Sequence, residues 1–182
     1  MKKSLSPGFL VAAPIIRDEP FERSLVLLAH HDQQGALGVI VNRTLPASLA
    51  EVLSGLDGHP PEQPVLQGGP VAPNVAWLLH EGGPEADDEG VFGVGRELVL
   101  TVRRDHLEDL IRDPKGRRLH LFLGHSGWGP GQLDREMAAG VWIPAELDTT
   151  LIFDVPYADR WRTALAKLGI DPALLGSGGF LA

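Results

Sequence analysis

The 182-residue sequence predicts an α+β domain on a mostly antiparallel or mixed sheet, with a few flanking helices. Three observations carry that prediction. Short apolar runs follow one another at hairpin spacing. Helical periodicity is confined to a few segments. Gly (22) and Pro (15) fill about a fifth of the chain, which favours many turns over long helices.

In chain order, Gly8–Ala13 reads as a short buried strand ended by Pro14. Arg23–His31 is a second strand, apolar enough in its centre to be covered on both faces. The turn Asp32–Gly35 joins it to Ala36–Asn42, and this hairpin should supply central strands, since such runs are unstable on a wet edge. Ser48 and Glu51 form a capping box for a short helix to about Leu53, stopped by Gly55. A Pro-rich loop, Gly58–Pro64, leads to the strand Val65–Gln67 and a Gly68-Gly69-Pro70 turn. Ala76–His80 is a strand, Glu81–Gly90 an acidic loop, and Glu97–Val102 the best part of the next strand. Asp105 can cap a helix that ends before Pro114.

Leu119–Leu123 is a strand followed by a glycine-rich loop, Gly124–Gly131. Gln132–Ala139 is a helix, with Pro130 suited to its first turn and Gly140 to its end. The last helix, Tyr157–Leu168, presents Trp161, Leu165 and Leu168 on one face toward the core, and Gly169 caps it. Gly176–Gly179 belongs to a loose tail. No linker or repeat divides the chain, so residues 1–182 are read as a single domain.

The formal net charge is −8, which opposes binding to DNA or RNA, whose affinity comes largely from Lys and Arg on phosphates. A basic stretch runs through Arg103, Arg104, Arg112, Lys115, Arg117 and Arg118, but four acids interleave it, as on a solvated face. Cysteine is absent, which excludes disulfides, thiolate nucleophiles and thiolate metal sites. Phe9–Ala13 is too short for a signal peptide core, and no run approaches the ~18 apolar residues of a membrane span. A cytoplasmic protein is expected.

Enzyme motifs fail individually. Gly124-His125-Ser126-Gly127-Trp128 places an indole where a nucleophile elbow needs its second flanking glycine. Gly124 and Gly129 start a phosphate loop, but Pro130 stands where its lysine belongs. Gly93-Val94-Gly95 lacks the third glycine of a dinucleotide site. The seven histidines make no metal-binding helix pattern, and no cofactor or metal is expected. His120 and His125, an odd separation apart near one strand, should face opposite sides, as should His30 and His31.

The candidate ligand- or partner-binding residues are Arg23, Asn42, Gly127, Trp128, Gly129, Gly131 and Gln132. Arg23 and Asn42 open and close paired strands; they serve either turn chemistry or a shared pocket. Gly127–Gln132, with an exposed-looking Trp128, is either a tight turn that packs the indole over the sheet or a surface where a ligand meets backbone N–H groups.

Together these pieces are more specific. Asp18-x-Pro20-Phe21-x-Arg23-Ser24-Leu25-Val26-Leu27-Leu28 leads to His31, then Gly35–Arg43, then Gly68-Gly69-Pro70-Val71, then Gly124-x-Ser126-Gly127-Trp128-Gly129-Pro130-Gly131-Gln132-Leu133. In this order and spacing the chain, from about Gly8 to Gly169, resembles the YqgE/AlgH family of bacterial proteins. It departs from the family at His125, commonly Tyr, and at Thr44, often Pro. The resemblance implies a bifurcated sheet curled into a barrel-like form and no established catalytic residue. It also brings the family's label of transcriptional regulator, which no helix-turn-helix in this chain supports.

Three functions are therefore set against one another. The first is a non-enzymatic cytoplasmic protein acting indirectly through a small ligand or protein partner. The second is an enzyme using Ser126 or His125 in the Gly124–Gln132 loop. The third is a DNA-binding regulator using Arg103–Arg118.

Overall fold

A computed structural model describes residues 4–55, 62–83 and 88–175. The strands are β1 (Gly8–Ala12), β2 (Leu25–Asp32), β3 (Gly35–Ile40), β4 (Thr44–Ser48), β5 (Pro64–Gln67), β6 (Val71–Glu81), β7 (Val91–Val94), β8 (Leu98–Thr101), β9 (Leu119–Trp128) and β10 (Trp142–Ala145). The helices are α1 (Leu49–Val52), α2 (Arg104–Arg112), α3 (Gln132–Ala138), α4 (Thr150–Phe153), α5 (Arg160–Lys167) and α6 (Pro172–Leu175), with a 3₁₀ turn at Tyr157–Asp159.

One mixed sheet runs β10-β1-β2-β3-β9-β6-β8-β7, and β4-β5 branches from β9. Among the described strands only the β5–β9 pair is parallel, placing Leu66 beside Phe122. Strand β9 is where the sheet divides. Its first half lies between β5 and β6, and Ser126–Trp128 pair with Gly38–Ala36 of β3. The sheet curls until Phe92 of β7 stands 6.2 Å from His30 of β2, ring to ring, but these strands do not pair and the sheet stays open.

The hairpin β2-β3 is central, as its composition predicts. Alternation explains why β1, β3 and the first five residues of β2 are apolar on both faces. Phe9, Val11, Leu25, Leu27, Val39 and Val41 enter a core under α4 and α5, where Trp161 and Leu165 meet them. Leu10, Ala12, Val26, Leu28 and Ile40 point the other way, into a second core holding Trp128, Leu133 and Trp142. A third core packs Leu107, Leu110 and Ile111 of α2 against Leu78, Leu119 and Leu121.

The Ser48–Glu51 capping box forms with both hydrogen bonds, at 3.2 and 2.8 Å. Asp105 does not cap α2; the N-cap is Arg103, two residues earlier, and Asp105 pairs with its guanidinium instead. Leu168 is 38% exposed, because Gly169 (φ 73°) ends α5 and turns that position from the core. Strands β4 and β10 escape the sequence reading because each is short and carries a proline, which edge strands tolerate. Parts of the Pro-rich and acidic loops, and the Gly176–Gly179 tail, lie outside the described residues.

The expected loop at Gly124–Gly131 is largely strand, since β9 continues to Trp128. Gly124, at φ 72°, makes this possible: it kinks the chain, which then resumes pairing with β3. The kink also breaks the alternation. His120 neighbours Phe122, and His125 lies 5.4 Å from Trp77, the cross-strand partner of Phe122. Both histidines therefore share one side of the sheet, against the parity expectation. His30 is exposed and His31 nearly covered, as alternation requires.

Candidate functional site

The glycines of the motifs divide into two kinds. A Cβ on Gly68 would stand 2.2 Å from the Gly124 carbonyl oxygen, and one on Gly124 would stand 2.4 Å from that of Gly69. Two backbones cross there, and only glycine permits the approach. A Cβ on Gly127 or Gly129 meets nothing closer than 3.8 Å, so packing makes no demand at either position.

Trp128 is buried, not exposed, at 7%. Its indole N–H donates to Glu136 Oε2 at 2.9 Å, and the Trp142 indole donates to the same oxygen at 2.8 Å. Gln132 Nε2 donates to Glu136 Oε1, while its Oε1 accepts from the Gly129 N–H at 3.0 Å. The Gln132 N–H itself donates to the Gly129 carbonyl. Gly131, at φ 67°, precedes α3 and turns the chain into it. Gly129, Gly131 and Gln132 thus form a closed turn that fastens Trp128 to α3. Glu136 organises this turn; its spacing of four from Gln132 on a helix was the available signal.

Ser126 is fully buried and its hydroxyl donates to the Gly68 carbonyl at 3.1 Å. Burial holds the His125 imidazole below its ordinary pKa. Neither residue is arranged as a nucleophile beside a base.

Arg23 and Asn42 meet through backbone. Asn42 Oδ1 accepts from the Leu25 N–H at 2.8 Å, and its Nδ2 donates to the Arg23 carbonyl at 2.9 Å. The Arg23 guanidinium lies 5.9 Å over Trp161, beside a cavity of about 300 Å³ that Asn42 does not line. Asn42 sits just past the end of β3 opposite Ala36, the partner of Trp128, so the two groups of candidate residues are not brought together.

A pocket that the sequence did not reveal lies between the start of β9 and the turn from α4 to α5. It encloses about 490 Å³ and is lined by Arg117, Arg118, His120, Phe153, Tyr157 and Arg160, among others. Arg160 is 2% exposed. Its Nε donates to the Val155 carbonyl at 2.9 Å and its Nη1 to that of Val41 at 2.6 Å, while the guanidinium covers the Tyr157 ring at 4.2 Å. Burial lowers its pKa to about 10, so it remains charged at neutral pH.

His120 is 5% exposed and stacks on Phe153 at 5.3 Å. Its Nε2 lies 2.9 Å from the Ile152 carbonyl oxygen. A carbonyl only accepts, so Nε2 carries the proton and Nδ1 presents a lone pair. Nδ1 has no partner among the described residues. Burial, and then the charge of Arg160, push the imidazole pKa down to about 4, which keeps it neutral. Arg118 covers the opposite end of the pocket, 4.7 Å over Phe153, and is bound to Glu81 and Asp154.

A larger cleft of about 950 Å³ lies between β10 and α5. Its charges are mixed, Arg96 and Lys167 against Glu97, Glu146 and Asp148, and Lys167 is already tied to Asp148. Among the described residues no group of three potential metal ligands converges, and no helix is long and apolar enough to cross a membrane.

The sheet that divides at β9 and the turn that fastens Trp128 to α3 coincide with the segments carrying the sequence resemblance. A model of the AlgH-like family (DUF179) matches residues 9–173. The chain belongs to this family. A UPF0301 protein of Anaeromyxobacter dehalogenans (strain 2CP-1) is 47% identical over 96% of this chain and 94% of its own. One from Laribacter hongkongensis is 40% identical over 96% of both. The solution structure of the AlgH protein from Pseudomonas aeruginosa superposes with a TM-score of 0.75 at 32% identity, covering all of both chains. The crystal structure of a Corynebacterium diphtheriae protein shares the fold with a TM-score of 0.74 at 22% identity, over 98% of this chain and 94% of that one.

Proposed function

We propose that this AlgH-like protein is a non-enzymatic, cytoplasmic, single-domain protein that binds a small ligand in the His120–Arg160 pocket, any effect on transcription being indirect. The observation that carries the reading is Arg160: a guanidinium 2% exposed, beside a cavity, with carbonyls and a ring for partners but no carboxylate among the described residues. A buried charge without a counter-ion is costly, and such groups concentrate at sites of function. A concave site of 300–1,000 Å³ is the ordinary size for a small molecule.

The two alternatives receive less support. Ser126 spends its hydroxyl on the Gly68 carbonyl, out of reach of substrate. In the basic stretch, Arg103, Arg104, Arg112 and Arg118 are each paired with a carboxylate, as on a solvated face rather than a phosphate-binding one.

A fragment screen followed by amide chemical shifts of ¹⁵N-labelled protein tests this reading. Binding fragments should perturb Leu119, His120 and the backbone from Phe153 to Arg160. Hits that map only to the β10–α5 cleft or to Gly127–Gln132, or no hits at all, would overturn the assignment of the site.

A further inference from the structure

We propose that this pocket selects a small oxyanion with a hydroxyl group beside its charge: a hydroxy acid or a hydroxyl-bearing phosphate monoester. The inference rests on the pocket being the ligand site and names the chemistry it would recognise.

The charges in the pocket wall argue for the anion. Arg118 is neutralised by Glu81 and Asp154. Among the described residues Arg160 meets carbonyl oxygens and the Tyr157 ring but no carboxylate. The Arg117 side chain, also in the wall, makes no hydrogen bond or ion pair among the described residues, its backbone N–H alone donating to the Pro114 carbonyl. Taken with Glu81, the wall carries three cations against two anions, leaving one positive charge unmatched. A monoanion balances it. In a partly desolvated site that match is worth far more than in water, since charge-assisted hydrogen bonds strengthen as the local dielectric falls. Arg160 is also well prepared to receive one. Two of its nitrogens are committed to main-chain carbonyls, which fix the guanidinium plane and leave Nη2 for a further acceptor.

His120 argues for the hydroxyl. The Ile152 carbonyl sets its tautomer, so Nδ1 can only accept. A buried acceptor without a donor is penalised, and no side chain among the described residues satisfies it. A carboxylate or a fully ionised phosphate offers no proton. A ligand that satisfies both Arg160 and His120 must carry an O–H as well as a charge. The ring itself is packed between Phe153, centroid to centroid at 5.3 Å, and Tyr157 at 5.8 Å.

Titrations of ¹⁵N-labelled protein with glycerate, glycerol 2-phosphate, propionate and glycerol separate the elements of the proposal. Glycerate or glycerol 2-phosphate should shift the amides of Leu119, His120 and Phe153–Arg160, and whichever binds tighter identifies the oxyanion. Propionate, which lacks the hydroxyl, should bind about tenfold more weakly, and glycerol should leave these amides unmoved. Arg117→Gln should weaken the hydroxylated anion about tenfold without lowering the melting temperature. His120→Phe should bring glycerate and propionate to equal affinity. Should that variant fail to fold, the comparison of glycerate with propionate and the Arg117→Gln titration decide. Equal binding of glycerol would overturn the anion while leaving the pocket as a ligand site. Equal binding of propionate and glycerate to the unaltered protein would overturn the hydroxyl. Absence of any shift with the four probes would overturn the whole inference, and fragments mapping to the pocket would then still uphold the broader reading.

Discussion

Trp128 donates its indole N–H to Glu136 at 2.9 Å, across the turn that joins β9 to α3. The carboxylate also holds Trp142 and Gln132, so one acidic side chain orders two indoles and a helix start. Trp128→Ala should cost about 3–5 kcal/mol, as for a buried aromatic truncated in a core. Glu136→Leu should cost about 2–4 kcal/mol, because it leaves two buried indole donors without an acceptor. Urea denaturation measures both, and near-native stability of Trp128→Ala would show that the turn does not hold the second core together.

The glycines of the family motifs should respond oppositely to the same substitution. Gly68→Ala and Gly124→Ala force backbone against backbone and should prevent folding or cost more than about 4 kcal/mol. Gly127→Ala and Gly129→Ala meet only side chains at ordinary van der Waals distance, 3.8 Å or more, and should change stability by less than about 1 kcal/mol, in either direction. Thermal melts of the four variants check this.

Stability should depend on pH through His120. Its pKa in the folded protein, about 4, lies below the ordinary 6.5. Between these values the unfolded chain binds the proton and the folded one does not, so stability is complete above about pH 6.5 and falls as pH drops toward 4. The loss is on the order of 3 kcal/mol by pH 4. His125, lowered by burial, adds to the same slope. Glu81 and the other carboxylates with lowered pKa values act in the same direction but only at lower pH, as they protonate. Denaturation at pH 5 and pH 7 should show the difference in the native protein and a reduced one in His120→Phe.

Ser126→Ala removes one buried hydrogen bond to Gly68 and should cost about 1–3 kcal/mol, since the carbonyl is left unpaired. A hydrolase panel run with this variant and the native protein should give identical rates. Any activity abolished by Ser126→Ala would restore the enzymatic alternative.

Local chemistry by itself determined much of this protein. The apolar runs of β1–β3 required burial on both faces, the Ser48–Glu51 spacing specified its cap, and Gly140 and Gly169 marked helix ends at φ 73°. Those features depend on neighbours within a few residues, which a sequence displays directly. The ordered motifs also carried the family, because each is tied to a backbone crossing or turn that tolerates few alternatives. What the tertiary structure alone decided depends on contacts between distant segments. Gly124 reads as a loop residue until β3 and the Gly68-Gly69 turn are placed beside it. Trp128 looks exposed until Glu136 and Trp142 close over it. Arg160 reads as an ordinary helical cation, yet it is buried by Val41, 119 positions earlier, and by Val155 and Tyr157. The pocket it shares with His120 is assembled from segments about forty positions apart, and no local period or motif records that two such groups will meet in one site.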